Sequence, residues 1–358
     1  MRGVSALCCP GSVRLALAIA VCMVATPGLA DVCREAPKAR AGATEIVRRA
    51  EVHMGTVVEI SASDAACETL ERAFREAFDE VARLEDLLSE WRPGTELAAV
   101  NEAAGGAAVP VGPELYALLD RSLEIAHLTR GAFDPSFASL WGLWTFGDDG
   151  VQRAPDAVEV ERRRALINYR RITLDERTRS VRLEDAGMKV GLGGIAKGYA
   201  TDRIAAVLRD HGLRHFTIKA GGELYVGGRP GGERARVGIR DPRGPGLFAT
   251  VEAEDLAVNT SGDYERFFID GGRRYHHIID PATGYPATRS RSVTVLAREA
   301  TLADALATAV FVLGPEEGLA LVEELEGVEV VIVDRDSRVH LSSGVRGLLL
   351  RAPTRADP

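Results

Sequence analysis

The chain has 358 residues, 46% of them hydrophobic and 27% charged, with a formal net charge of −8. That length and apolar content suit one large domain or two fused ones, and the acid excess argues against nucleic acid as a partner, since such binding rests on basic surface. Of five cysteines only Cys33 and Cys67 lie beyond residue 30, and two give neither a disulfide framework nor a zinc-ligand spacing.

Residues 1–30 read as an export signal. Arg2 and Arg14 are the only charges before the nearly all-apolar run Leu15–Ala25, and Pro27-Gly28-Leu29-Ala30 supplies small residues where a signal peptidase cuts. The run falls short of the roughly 20 apolar residues a spanning helix needs, so cleavage and a periplasmic location are expected, with a retained membrane anchor as the alternative. No cysteine is placed for lipid attachment. Cleavage would leave 328 residues and a net charge of about −10, with Cys33 and Cys67 able to pair in an oxidising compartment. Residues 31–48 read as a linker, 49–352 as the folded domain and 353–358 as a tail.

Residues 51–60 (EVHMGTVVEI) predict a first strand. From Glu68 to Trp91, Leu70, Phe74, Phe78, Val81, Leu84 and Leu88 recur every three or four residues, which predicts one long amphipathic helix stopped by Pro93-Gly94. A second helix is expected over Pro113–Thr129. The stretch 131–150 has Gly, Phe, Pro and two Trp without period, an aromatic loop of the kind that holds ligands. Strands are expected near 215–219, 247–258 and 293–297, helices near 195–211 and 301–313, and an α–β run from Glu316. The fold class is α+β.

Three segments carry candidate chemistry. Residues 191–198 (GLGGIAKG) join the strand-like Met188-Lys189-Val190 to a helix, where backbone amides and Lys197 could cradle a phosphate; a tight turn with an exposed lysine fits equally. Asp304 and Thr308, four apart on the 301–313 helix, share a face and offer a carboxylate and a hydroxyl to a hard cation such as Mg²⁺; a capping box from Thr301 to Asp304 competes with that reading. In His276-His277-Ile278-Ile279-Asp280-Pro281-Ala282-Thr283-Gly284-Tyr285-Pro286, a histidine near an aspartate could act as a general base or simply satisfy the turn. Two glycine-containing turns, Gly221-Gly222-Glu223 and Thr260-Ser261-Gly262-Asp263-Tyr264, are expected after strands, each a plain hairpin or a ligand contact. Together these segments suggest a pyrophosphate ligand bearing flat rings.

In order and spacing, Met54-Gly55-Thr56, Phe133-Asp134-Pro135, Leu143-Trp144 with Phe146-Gly147, Gly193 to Ala200, Gly221-Gly222, Thr260 to Tyr264, His277 to Pro286, and Asp304 with Thr308 resemble the ApbE family of FAD:protein FMN transferases over roughly residues 50–350. The resemblance implies that family's α+β fold, with mixed sheets and helices in two intimately joined subdomains. It implies Mg²⁺-dependent transfer of FMN from FAD to a threonine hydroxyl of an acceptor flavoprotein, releasing AMP; the acceptor would belong to a respiratory electron-transfer system near the membrane. Hydrolysis of FAD to FMN and AMP, or FAD carriage without catalysis, are the alternatives. By the same resemblance Met54, Trp91, Ala132, Phe133, Asp134, Lys197 and Ile278 would contact FAD, the Gly194 carbonyl, Asp304 and Thr308 would hold Mg²⁺, and His277, with Asp280 beside it, would take part in transfer. Gly191 stands at an FAD-contacting position where the family commonly has Asp, so a carboxylate is missing there.

Overall fold

The computed structural model describes residues 46–63, 65–90, 92–146 and 152–351; all of them belong to one compact unit. The expected signal, Cys33, Trp91 and the tail after 352 lie outside the described residues. Cys67 is disulfide-bonded.

The frame is one antiparallel sheet of eight strands whose spatial order is their chain order: β1 (Val47–His53), β2 (Thr56–Ala62), β3 (Phe216–Ala220), β4 (Glu223–Gly227), β5 (Leu256–Gly262), β6 (Ser290–Ala297), β7 (Glu329–Asp334) and β8 (Val339–Leu341). Side chains alternate between the faces, as the two-residue strand period requires. Val293, Val295 and Ala297 of β6, with Val330 and Ile332 of β7, face a helical layer. Leu296, Val331 and Val333 face a three-stranded sheet of Ala235–Arg240, Leu247–Ala253 and Leu349–Arg351.

Between β2 and β3 the chain inserts α1 (Cys67–Leu88), α2 (Glu96–Glu102), α3 (Pro113–Leu128), α4 (Ala157–Arg164) and α5 (Ala196–Asp210), and α6 (Ala300–Glu323) links β6 to β7. A second core forms from α2, α3, the short strands Ile172–Asp175 and Ser180–Leu183, and the segment 188–200. Three helices, α1, α5 and α6, run through both cores, α5 with Ala196 and Ala200 in the second and Ile204 and Leu208 against the main sheet. Leu70 to Val81 of α1 face the main sheet while Leu84 and Leu88 enter the second core; on α6, Leu306 and Val310 face the sheet while Ala305 and Ala309 face the other way. The two halves therefore share helices, which is why neither is a separable domain. α6 is long and apolar enough to cross a membrane by composition, but most of it is buried here, the property of a core helix.

Several elements differ from those expected. The expected strand 51–60 is a hairpin, β1 to β2, turning on Met54 and Gly55 with φ of 50° and 69°; two successive positive φ values suit the twist of a tight hairpin. The expected strand 247–258 is likewise two strands, broken at Asp255 (φ 48°). Met188-Lys189-Val190 is not a strand but a loop pinned by Asn101, which donates to the Val190 carbonyl at 2.9 Å and accepts its N–H at 2.7 Å. Thr260 to Gly262 lie inside β5 rather than in a turn. The first long helix ends at Leu88, three residues early. α6 breaks at Gly314 (φ 78°) before Pro315, which separates the expected 301–313 helix from the run that follows.

Candidate active site

The segment 191–198 ends at the start of α5, which crosses α6 at close range. A Cβ on Gly198 would lie 2.3 Å from the Ala300 carbonyl oxygen and 2.7 Å from Asp304 Cβ, so only glycine permits this approach. The approach lets the Gly198 N–H donate to Asp304 Oδ2 at 2.9 Å. A buried carboxylate thus caps the positive end of α5 from the neighbouring helix. The capping box expected within α6 does not form. Asp202 of α5 instead accepts from Ala300 N at 2.9 Å, Thr301 N at 2.8 Å and Thr301 Oγ1 at 2.6 Å, and Asp304 is left for the site.

Lys197 is not a free surface lysine. Its Nζ lies 3.1 Å from Glu223 Oε1 and 3.8 Å from Asp304 Oδ1, and donates to the Gly193 carbonyl at 3.4 Å. Burial works to lower its pKa, but Asp304 and Glu223 together outweigh it and the pKa is raised. In the sequence Glu223 is marked only as the end of a glycine turn. Loss of water works to raise its carboxyl pKa while the Lys197 ammonium opposes that rise, and its Oε2 is buried without a hydrogen-bond partner.

Thr308 stands beside Asp304 on α6, partly exposed where the helix from Ala303 to Ala307 is buried. A Cβ built on Gly194 would lie 3.9 Å from Thr308 Oγ1 and 3.1 Å from the Phe133 ring. Asp304 and Thr308 thus present a carboxylate and a hydroxyl, oxygen donors of the hard type that Mg²⁺ takes alongside waters and substrate phosphates, with Gly194 next to Thr308. One carboxylate is the whole acidic share of that set, and among the described residues no group of three or more His, Cys, Asp and Glu is arranged for a metal.

Phe133 is buried, with the half-buried Ala132 beside it. Asp134 is spent on structure. Its Oδ1 accepts from Ser136 N at 2.8 Å and Ser136 Oγ at 2.5 Å, its Oδ2 from Tyr169 N at 2.9 Å, and burial outweighs these bonds to raise its pKa. Gly191 has a physical explanation: a Cβ there would lie 2.4 Å from the Trp141 ring and 2.8 Å from Glu90 Oε2. The volume a larger residue would fill is already taken, and by a carboxyl. Glu90 accepts the Leu192 N–H at 3.0 Å, and burial pushes it up to about 7. Nothing in the sequence marks Glu90, since it sits at the irregular end of a helix.

The two histidines separate cleanly. His276 is buried, its Nε2 2.8 Å from the Ala287 carbonyl oxygen and its Nδ1 accepting the Ile278 N–H at 3.3 Å, so it is the structural one. His277 is exposed, and its backbone N–H donates to the Arg266 carbonyl at 3.1 Å. Loss of water, then the charges of His276, Arg266 and Lys197, push its imidazole down to about 4. Asp280 builds the turn: its Oδ1 accepts from Ala282 N at 2.9 Å and its carbonyl from Gly284 N at 2.8 Å. Ile278 is buried beneath this turn. Trp144 donates its indole N–H to the Gly284 carbonyl at 3.0 Å and packs against Phe146, Tyr275 and Tyr285, which fixes the aromatic loop to the histidine turn. Arg266, unmarked in the sequence, reaches from the bend after β5 to donate to the Gly55 carbonyl at 3.5 Å, beside the strained Met54.

The family model described as the ApbE family matches residues 54–332. An FAD:protein FMN transferase of Treponema pallidum is 38% identical over 315 residues, covering 83% of this chain and 87% of the relative. One from Klebsiella pneumoniae is 33% identical over 272 residues, covering 75% and 84%. Among solved structures, the ApbE protein of Thermotoga maritima superposes with a TM-score of 0.77 at 32% identity, covering 85% of this chain and 99% of that one. The flavin transferase ApbE of Vibrio cholerae gives 0.77 at 29% identity, covering 86% and 100%.

Proposed function

The chain belongs to the ApbE family, and from that premise we propose that it is an exported, Mg²⁺-dependent transferase that moves FMN from FAD to a threonine hydroxyl of an acceptor flavoprotein and releases AMP. The observation that carries the reading is the crossing of α5 and α6, which sets Lys197 beside Asp304 and Thr308 near Gly194 and Phe133.

In this reading Lys197 supplies the charge that holds the pyrophosphate. Phe133, Ile278 and Met54 line the flavin, with Trp91 as a stacking ring. Mg²⁺, held by Asp304, Thr308 and the Gly194 carbonyl, would neutralise pyrophosphate charge as a Lewis acid. The threonine oxygen attacks the FMN-side phosphorus, the bond to the AMP phosphate breaks, and the hydroxyl proton passes to His277. The lowered pKa keeps the imidazole neutral at pH 7, so a ring nitrogen is open to the proton. Most of the acceleration comes from positioning and electrostatics, as for phosphoryl transfer in general. The export reading rests on the charge and apolar pattern of residues 1–30; the acceptor would be an exported or membrane-bound respiratory flavoprotein.

The test is incubation of the purified protein with FAD, Mg²⁺ and an acceptor domain, followed by mass spectrometry. A mass gain equal to FMN, abolished by EDTA, is expected. Free FMN and AMP without a mass gain would make the enzyme a pyrophosphatase. Unchanged FAD would refute catalysis and leave a carrier.

A further inference from the structure

We propose that Glu223 is a positioning residue that holds Lys197 away from Asp304 and so keeps Asp304 Oδ1 available to a divalent cation. The inference rests on the reading of Asp304 as a cation ligand. Lys197 hydrogen-bonds Glu223 Oε1 and the Gly193 carbonyl, while its 3.8 Å separation from Asp304 Oδ1 exceeds a hydrogen bond. The other Asp304 oxygen is committed to the Gly198 N–H. Without Glu223, the nearest carboxylate to the ammonium is Asp304, and a lysine paired there would compete with any cation for the same oxygen.

Stability alone does not account for Glu223. Its side chain is 6% exposed, and its Oε2 has no hydrogen-bond partner. A buried ion pair with an unsatisfied oxygen contributes little net stability, because desolvation offsets the attraction. It does fix where the charge sits. The hairpin from β3 to β4 delivers this carboxylate from the main sheet to a lysine on the helical layer, so sheet and helices jointly set the ammonium's place.

Mn²⁺ titration of the flavin-free protein, read by electron paramagnetic resonance, tests the idea without activity. Glu223→Gln preserves shape and should weaken Mn²⁺ binding roughly tenfold, the size of one lost Coulomb contact in a partly screened site. In a Lys197→Met background the same change should cost less than about threefold, because no ammonium remains to move onto Asp304. Equal losses in the two backgrounds, or none in either, would overturn the role assigned to Glu223. If the wild-type protein binds no Mn²⁺, the cation reading of Asp304 fails and this inference fails with it. If the wild type binds and Glu223→Gln binds equally, only this inference fails. Near-ultraviolet circular dichroism of each variant confirms that the fold is kept.

Discussion

Gly198→Ala sets two opposing effects against each other. Replacing a helical glycine by alanine normally stabilises by about 1 kcal/mol. Here the new methyl would stand 2.3 Å from the Ala300 carbonyl oxygen and 2.7 Å from Asp304 Cβ, and backbone on both helices cannot move aside as a flexible side chain would. Overpacking of this kind costs about 1–3 kcal/mol. Separating the helices also breaks the Gly198 N–H bond to Asp304 Oδ2, a charged hydrogen bond worth about 1.5–3 kcal/mol. The clash and the lost bond outweigh the propensity gain, so a net loss of roughly 2–5 kcal/mol is expected. Urea denaturation measures it directly, with Gly246→Ala as control, since nothing lies within 4 Å of that Cβ. A Gly198→Ala protein as stable as the wild type, or more stable, would show that the two helices do not meet as described.

Glu90→Gln should become relatively more stabilising as pH rises. Burial lifts the folded carboxyl from 4.5 to about 7, so between those values the folded protein keeps a proton that the unfolded chain has released, and stability falls as pH increases through that window. The difference between wild type and variant should grow by on the order of 3 kcal/mol from pH 4.5 to 8; a pH-independent difference in melting would refute it. His277→Ala should slow transfer by roughly 10²–10⁴-fold, the range for a lost general base, while FAD binding by fluorescence stays intact. Because the imidazole pKa is lowered, the acid limb of the wild-type rate should lie below 6.5; an acid limb centred at 6.5 would show an ordinary histidine. Asp304→Ala should abolish transfer with the fold retained, and a normal rate would remove Asp304 from the site.

The helices were legible because their apolar spacing is long and regular: Leu70 to Leu88 on α1 leaves one reading. The hairpins were less so. A period-two pattern continues through Met54-Gly55 and through Asp255, and only positive φ at those residues reveals the reversal. The short helices α2 and α4 carry local caps, Thr95 accepting from Ala98 N at 3.0 Å and Asp156 from Val158 N at 3.0 Å, but one or two turns are too few for periodicity to show. The capping box failed for a different reason. Thr301 and Asp304 have the right spacing, yet Asp202, 98 residues earlier than Ala300, takes the helix N-terminus, and tertiary capping leaves no local signature.

The same distinction explains Gly191. Read along the chain, a glycine in place of an acidic residue is a loss; in space, the volume beside it holds Glu90 and Trp141. Glu90 bonds the amide of Leu192, the residue that follows, so a carboxyl still faces the start of the glycine segment, from a different part of the chain. Glu223 is a parallel case: it comes from the sheet to meet a lysine on α5. In both, the acidic residue lies tens of residues from the segment it meets. A motif on one segment can therefore mark where a ligand is held, while the acidic groups that tune the site come from elements the motif does not contain.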